Sequence, residues 1–235
     1  MDYIPEAHKI SNENRTLRDA LRGRLKIVQR HTSITNSMWL LLAKYNFDSP
    51  SQLTGIAKYQ YEQLSEVEEL LDNQKLDIEK QLYPFLIPNE DIQRLLWIPG
   101  IGKINAFSIF LEVDDINRFA TDRNFLSYCR LVPSARNSGG KSKQRSSKDG
   151  NKYLKLVFSD AAIRAVQYYP VIRKYHSFLL RKKNKQIAKT IIAKEIARIV
   201  YYVLNKKENF NNKFKGIDLE HTKSLQWPRV TSPYA

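Results

Sequence analysis

The chain has one cysteine, Cys129, so no disulfide can form within it, and the composition fits a reducing compartment. No apolar run approaches the roughly 20 residues needed to cross a bilayer. Residues 1–10, MDYIPEAHKI, lack the features of a signal peptide. The expectation is a cytoplasmic protein with no membrane partner. His8, His31, His176 and His221 are scattered and form no zinc spacing with the lone cysteine. There is no P-loop, no Gly-x-Gly-x-x-Gly after a strand and no zincin motif. No Ser/His/Asp set is legible at short range, and no carboxylate pair is placed for two-metal phosphoryl transfer. Acids are also scarce: 24 Asp and Glu stand against 39 Lys and Arg, a formal net charge of +15. Such an excess draws polyanions, DNA or RNA first. The hydrophobic share of 42% is enough for a core in one or two domains.

Apolar residues at spacings of three and four predict helices. Leu17, Leu21, Leu25, Val28, Thr35, Trp39 and Leu42 mark one over residues 14–45. After the Asp48-Ser49-Pro50-Ser51 turn, Leu64, Val67, Leu71, Gln74 and Ile78 keep heptad spacing over residues 50–82, with Glu62, Glu66, Glu68, Glu69 and Asp72 on the outer face. This pair reads either as an antiparallel hairpin within its own domain or as a dimerising coiled coil. Two prolines in residues 83–89 mark a boundary. A short helix over 91–98, the turn Pro99-Gly100-Ile101-Gly102 and a helix over 103–113 form a helix-hairpin-helix pattern. Its glycines, with Lys103, would present backbone N–H groups to a phosphate; the alternative is a tight turn that touches only protein. Asp114, Asp115 and Asp122 read as caps rather than metal ligands.

Residues 131–151, LVPSARNSGGKSKQRSSKDGN, are too polar to bury and read as a surface loop. Arg136, Lys141, Lys143, Arg145 and Lys148 there, with Lys152 just beyond, answer to one acid, Asp149. The loop is either a nucleic-acid contact or a solvated basic segment. Beyond it, Leu154, Val157, Phe158, Ala161, Ala162 and Ala165 form an apolar helical stripe that ends at Pro170. A helix over 171–180 leads into Arg181-Lys182-Lys183-Asn184-Lys185. The last long helix spans 186–204, with Ile187, Ile191, Ile192, Ile196, Ile199, Val200 and Val203 inward. No β pattern stands out. The expected fold is all-α: a helical hairpin or coiled coil over 1–88, a compact helical domain with the helix-hairpin-helix turn over 89–210, and a polar tail over 211–235.

The order PGIG, LEVDDINRF, FLSYCRLVP, SGGK, GNKYLKLVFSDAA and IARIVYYVL resembles the C-terminal domain of the serine-plus-DEDD transposases of bacterial insertion sequences, which include Piv-type DNA invertases. ENRTLRDALRGRLKIVQRH resembles that family's coiled-coil segment. The resemblance implies a DNA transposase or recombinase in which Ser138 is the nucleophile. Gly139, Gly140 and Lys141 match the same motif. Gly150 and Asn151 match the GN that opens the next helix, with Lys148 and Lys152 among the aligned cations. Arg130 stands where many members carry glycine. The family places a RuvC-like domain, whose four acids hold a divalent metal such as Mg, before the coiled coil. This chain starts where that domain would end, so the metal is expected only with that domain and none within this chain. DNA is the implied partner, some members add a guide RNA, and the coiled coil implies a homo-oligomer, dimer or tetramer. Two other readings compete: a nucleic-acid-binding protein or transposase remnant without catalysis, and a helical scaffold merely solubilised by its charge.

Overall fold

The computed structural model describes residues 12–138, 141–146, 149–210, 213–214 and 217–218. Two units divide the chain, Met1–Ile87 and Pro88–Ala235.

In the first unit, α1 spans Asn12–Lys44 and α2 spans Gly55–Leu82. Between them Ser49 and Gln52 form a capping box on the 3-10 turn Pro50–Gln52, so α2 starts later than the expected residue 50. Arg24 meets Glu79 at 2.6 Å and His31 meets Asp72 at 3.4 Å, so the helices run antiparallel. Leu21, Met38 and Leu42 of α1 and Leu71 and Leu82 of α2 are buried. The seam departs from the expected stripes. Met38 is buried and Trp39 is 64% exposed. On α2, Val67 and Gln74 are exposed, whereas Glu68 accepts a hydrogen bond from the Thr35 hydroxyl of α1. Glu68 and Asp72 were expected on the outer face. Arg24, His31 and Thr35 offer them and Glu79 partners across the seam, which favours the register that seats those acids. The Lys75 ammonium, hydrogen-bonded at 2.6 Å, holds the Asp72 carboxyl below its usual range, and His31 adds to this.

The second unit contains α3 (Glu90–Leu96), α4 (Lys103–Val113), α5 (Asp122–Tyr128), α6 (Lys152–Tyr168), α7 (Pro170–Leu180) and α8 (Lys185–Lys206). Helix α6 is central and packs on α4, α7 and α8. Ala161, Ala162 and Ala165 of α6 and Ala193 and Ala197 of α8 are fully buried, and their small side chains let backbones approach. Phe125 fills the space beside α5, its ring 6.2 Å from Phe158 and 6.0 Å from Tyr201. Pro170 takes the first position of α7, where its missing N–H costs nothing. Arg173 then donates to the free carbonyls of Val166 and Gln167 at the end of α6. Ile187, expected inward, is exposed at the start of α8.

The fold class is all-α, with two small strand pairs that the sequence pattern did not announce. Strand β1 (Pro133–Ser138) pairs antiparallel with β2 (Lys141–Ser146), so the expected loop is a β-ribbon. A shorter pair, β3 (Lys213–Phe214) and β4 (Ile217–Asp218), lies in the expected polar tail, whose remaining residues from 219 on, Trp227 and Pro228 among them, lie outside the described residues. Among the described residues no helix is long and apolar enough to cross a membrane.

Candidate nucleic-acid interface

The ribbon rises between α5 and α6, and its base is built with care for backbone geometry. Helix α5 begins at Thr121, whose hydroxyl accepts from the Asn124 N–H. It ends with two bonds of the Schellman type: Leu131 N–H donates to Leu126 O at 3.0 Å, and Arg130 N–H to Ser127 O at 2.9 Å. That motif needs a left-handed residue, usually glycine, and here it is Arg130, at φ 55°. The arginine accepts an unfavourable backbone and uses its side chain in return. Its Nε donates to Gly150 O at 2.8 Å, across the neck of the ribbon.

The other side of the neck is equally determined. Asn151 N–H donates to Tyr128 O at 2.6 Å. Gly150 sits at φ 99°, and a Cβ there would lie 2.4 Å from Tyr128 O. The Asn151 side chain caps α6, accepting from the N–H groups of Tyr153 and Leu154. Its amide also donates to Glu112 Oε2 at 2.6 Å, and Glu112 is only 3% exposed. Asn151 was expected to contact nucleic acid. In the structure it is buried, and a buried carboxylate and an open helix start both engage its amide.

Above the neck, β1 and β2 align Ser138 with Lys141, Arg136 with Lys143 and Ser134 with Arg145. Only Gly139 and Gly140 separate the strands in sequence, a dipeptide favoured in two-residue hairpins. Gly139, Gly140 and Lys148 lie outside the described residues, as do the side chains of Arg136, Ser138, Lys141, Lys143 and Arg145. Lys152 is exposed at the foot of the ribbon, its ammonium 5.1 Å from the Tyr153 ring centre.

The PGIG turn splits into two roles. Ile98 and Ile101 are fully buried and anchor it. Gly100, at φ 84°, presses on α6: a Cβ would lie 2.1 Å from Ala161 O. Its lack of a side chain therefore serves protein packing. Gly102 is the open one. It is the N-cap of α4, makes no side-chain cap, and nothing lies within 4 Å of the position its Cβ would take. Lys103 beside it is half-buried. Trp97, which the pattern of residue types did not single out, is exposed at the end of α3.

Arg118 also escaped notice. Its guanidinium lies 4.4 Å from the Phe119 ring centre and 4.6 Å from that of Tyr128. Burial pushes the Cys129 thiol well up, which Arg118 partly offsets. Asp115 caps the 3-10 turn Ile116–Arg118, and Asp122 pairs with Arg198 at 3.1 Å, as expected of structural acids. Among the described residues no three His, Cys, Asp or Glu side chains group to hold a metal ion.

The left-handed Arg130 makes a test of this neck. Arg130→Ala keeps the backbone cost and loses the Gly150 bond, and should destabilise the protein by about 1 kcal/mol. Arg130→Gly loses the same bond but relieves about 1 kcal/mol of left-handed strain, so it should stay within about 0.5 kcal/mol of wild type. Urea unfolding of the two variants checks the order; a glycine variant less stable than the alanine one would contradict it.

Fold and site together define an all-α, basic protein that carries a cation-rich β-ribbon on a helical core. Residues 92–177, from α3 through the ribbon into α7, match the sequence model of the Transposase IS116/IS110/IS902 family. Over 88% of this chain and 68% of its own length, a Pseudomonas aeruginosa protein named "Probable family 20 transposase" is 23% identical. The "Transposase for insertion sequence element IS1111A" of Coxiella burnetii is 28% identical over 57% of this chain and 38% of its own. The corresponding protein of IS1328 from Yersinia enterocolitica is 26% identical over 77% and 60%. The chain is thus similar to insertion-sequence transposases, and it spans less than two thirds of the length of the latter two relatives.

Proposed function

We propose that this chain is the DNA-binding and strand-exchange part of an insertion-sequence transposase of the serine-plus-DEDD type, with Ser138 as its nucleophile. The observation that carries the reading is that the family match encloses both the PGIG turn and the whole ribbon. Ser138 stands at the last pair of β1, beside the Gly-Gly connection. There its hydroxyl would attack a DNA phosphorus. A serine–phosphate ester forms, the strand's own P–O bond breaks, and the departing oxygen takes a proton to become a free hydroxyl. Attack by a hydroxyl from another strand reverses these events, rejoins DNA and releases the serine. Serine is a weak nucleophile at neutral pH, so it needs a base or a strongly polarised phosphate. Arg136, Lys141, Lys143 and Arg145 supply positive charge on the same ribbon for the developing negative charge. The described residues do not fit the divalent metal of the RuvC-like domain, since no three metal-ligating side chains group among them.

DNA binding through the ribbon, Lys152 and the open Gly102–Lys103 turn is part of the same proposal. So are a guide RNA, which rests on the resemblance alone, and self-association through α1 and α2, which rests on the resemblance and on the heptad spacing.

The test uses a complete transposase system with its own element-end DNA. Denaturing electrophoresis and peptide mass spectrometry should find a DNA-linked phosphoserine at Ser138. Ser138→Ala should lower joining at least about a thousandfold, as loss of a nucleophile does, while salt-dependent DNA binding persists. An adduct at Ser134, Ser142, Ser146 or Ser147 would move the nucleophile. No adduct, with binding intact, would leave nucleic-acid binding without catalysis.

A further inference from the structure

Between Asp160 and Glu195 the sequence has no acidic residue and nine lysines and arginines. The structure gathers five of these at one place. Arg181, Lys182, Lys183 and Lys185 lie in and around the α7–α8 connection and are all exposed, and Lys189 follows one turn into α8. No ion pair among the described residues engages any of them. Several cations elsewhere in this unit are paired. Arg94 bonds Glu90 and Asp91, Arg198 bonds Asp122 and Glu195, and Lys207 bonds Asp91. Arg173, within the same acid-free run, is used to cap α6.

Local helix physics does not ask for this arrangement. Arg181 and Lys182 suit the carbonyl end of α7, but Lys183 and Lys185 stand at the amide end of α8, where cations are disfavoured and acids are the usual choice. The first turn of α8 has no acid at all. A residue pattern that opposes its local structure points to a use elsewhere. Exposed, closely spaced and unanswered cations complement a regularly charged polyanion, and a DNA duplex presents phosphates at such spacing. Phe178, exposed on α7 with the Lys182 ammonium 5.5 Å from its ring centre, adds an apolar face beside the charges.

We propose that the α7–α8 corner is a second DNA-backbone contact surface, distinct from the ribbon and lying largely outside the matched family region, which ends at residue 177. It holds the duplex through phosphates and reads no bases. The proposal deepens the DNA-binding part of the reading above and rests on it.

The test measures affinity for a fluorescent random-sequence DNA duplex across a range of salt concentrations, using the full chain. A Lys182→Ala, Lys183→Ala, Lys185→Ala triple variant should lower the slope of log affinity against log salt by about 2 to 3, since each neutralised phosphate contributes about 0.9. Affinity at about 0.1 M salt should fall at least tenfold. A control triple variant, Lys26→Ala, Lys44→Ala and Lys80→Ala, removes the same charge from the first unit and should leave the slope unchanged. An unchanged slope in the α7–α8 variant, or an equal drop in both variants, overturns the proposal while the chain still binds DNA. Loss of affinity for an RNA duplex with the DNA slope kept also overturns it. Absence of DNA binding in the wild-type chain would instead sink the binding reading itself. Circular dichroism of both variants confirms that α7 and α8 remain folded.

Discussion

A Gly100→Ala protein is expected to lose the stable fold of the Pro88–Ala235 unit, with a destabilisation of at least about 4 kcal/mol. The added methyl would lie 2.1 Å from Ala161 O, 2.9 Å from Ala165 N and 3.0 Å from Ala161 C. All three are backbone atoms of α6, so no rotamer change relieves the overlap. Moving the turn would unseat Ile98 and Ile101, which are fully buried on either side of it. Moving α6 would open its contact with α8, where Ala193 and Ala197 leave no slack. The φ of 84° adds strain for any residue with a Cβ. Domains of this size have only about 5–15 kcal/mol in total. Gly102→Ala is the matched control. It has an ordinary φ of −93° and open space, so it should stay within about 1 kcal/mol of wild type. Thermal unfolding followed by circular dichroism checks both, and a normal midpoint for Gly100→Ala would mean that the turn does not press on α6.

Asn151→Ala is expected to cost about 2–4 kcal/mol, from two losses at one side chain. The cap on Tyr153 and Leu154 is worth about 1 kcal/mol. The amide bond to the buried Glu112 carboxylate adds about 1.5–3 kcal/mol, as bonds to charged groups do. Asn151→Asp separates the two. It can still cap α6, but it sets a second carboxylate against Glu112. One of the two must then hold a proton, so the folded state binds protons more tightly than the unfolded chain. By linkage, stability of this variant rises as pH falls and is lost as pH rises through the raised folded-state pKa. Urea unfolding at neutral and mildly acidic pH should show that recovery for Asn151→Asp and none for Asn151→Ala. Equal losses at both pH values would place Glu112 outside the network.

The helices were readable because their burial is periodic. Residues 103–113 form α4 as expected, and the alanine stripe of α6 was named from spacing alone. The ribbon was not readable for the complementary reason. β1 and β2, PSARNS and KSKQRS, are rich in serine, lysine and arginine, so no apolar alternation marks them. Only the Gly139-Gly140 dipeptide carries a hairpin signal, and a dipeptide alone does not mark the strands that flank it. The α1–α2 register failed where charge enters a seam. Periodicity assigns Glu68 and Asp72 to solvent, and nothing in one helix alone reveals that His31 and Thr35 wait on the other.

In the candidate site, residue types pointed to a neighbourhood, and contacts sorted it. Asn151 and Gly100, expected at a nucleic-acid contact, also hold protein together: one bonds Glu112 and caps α6, the other packs on Ala161. Arg130 looked incidental and occupies a position that calls for glycine, in return for a bond across the neck.

By itself, the sequence determined the helical class, the basic character and the location of the cation-rich segment, because net charge and apolar spacing are properties of the chain read along its length. Only the tertiary structure decided that the segment is a paired ribbon, that Glu112 and Asn151 close its base, and that one PGIG glycine is packed while the other is open. Those outcomes depend on which side chains meet across the 39 residues from Glu112 to Asn151 and on how closely α6 approaches the turn, and no spacing within one helix encodes such distances.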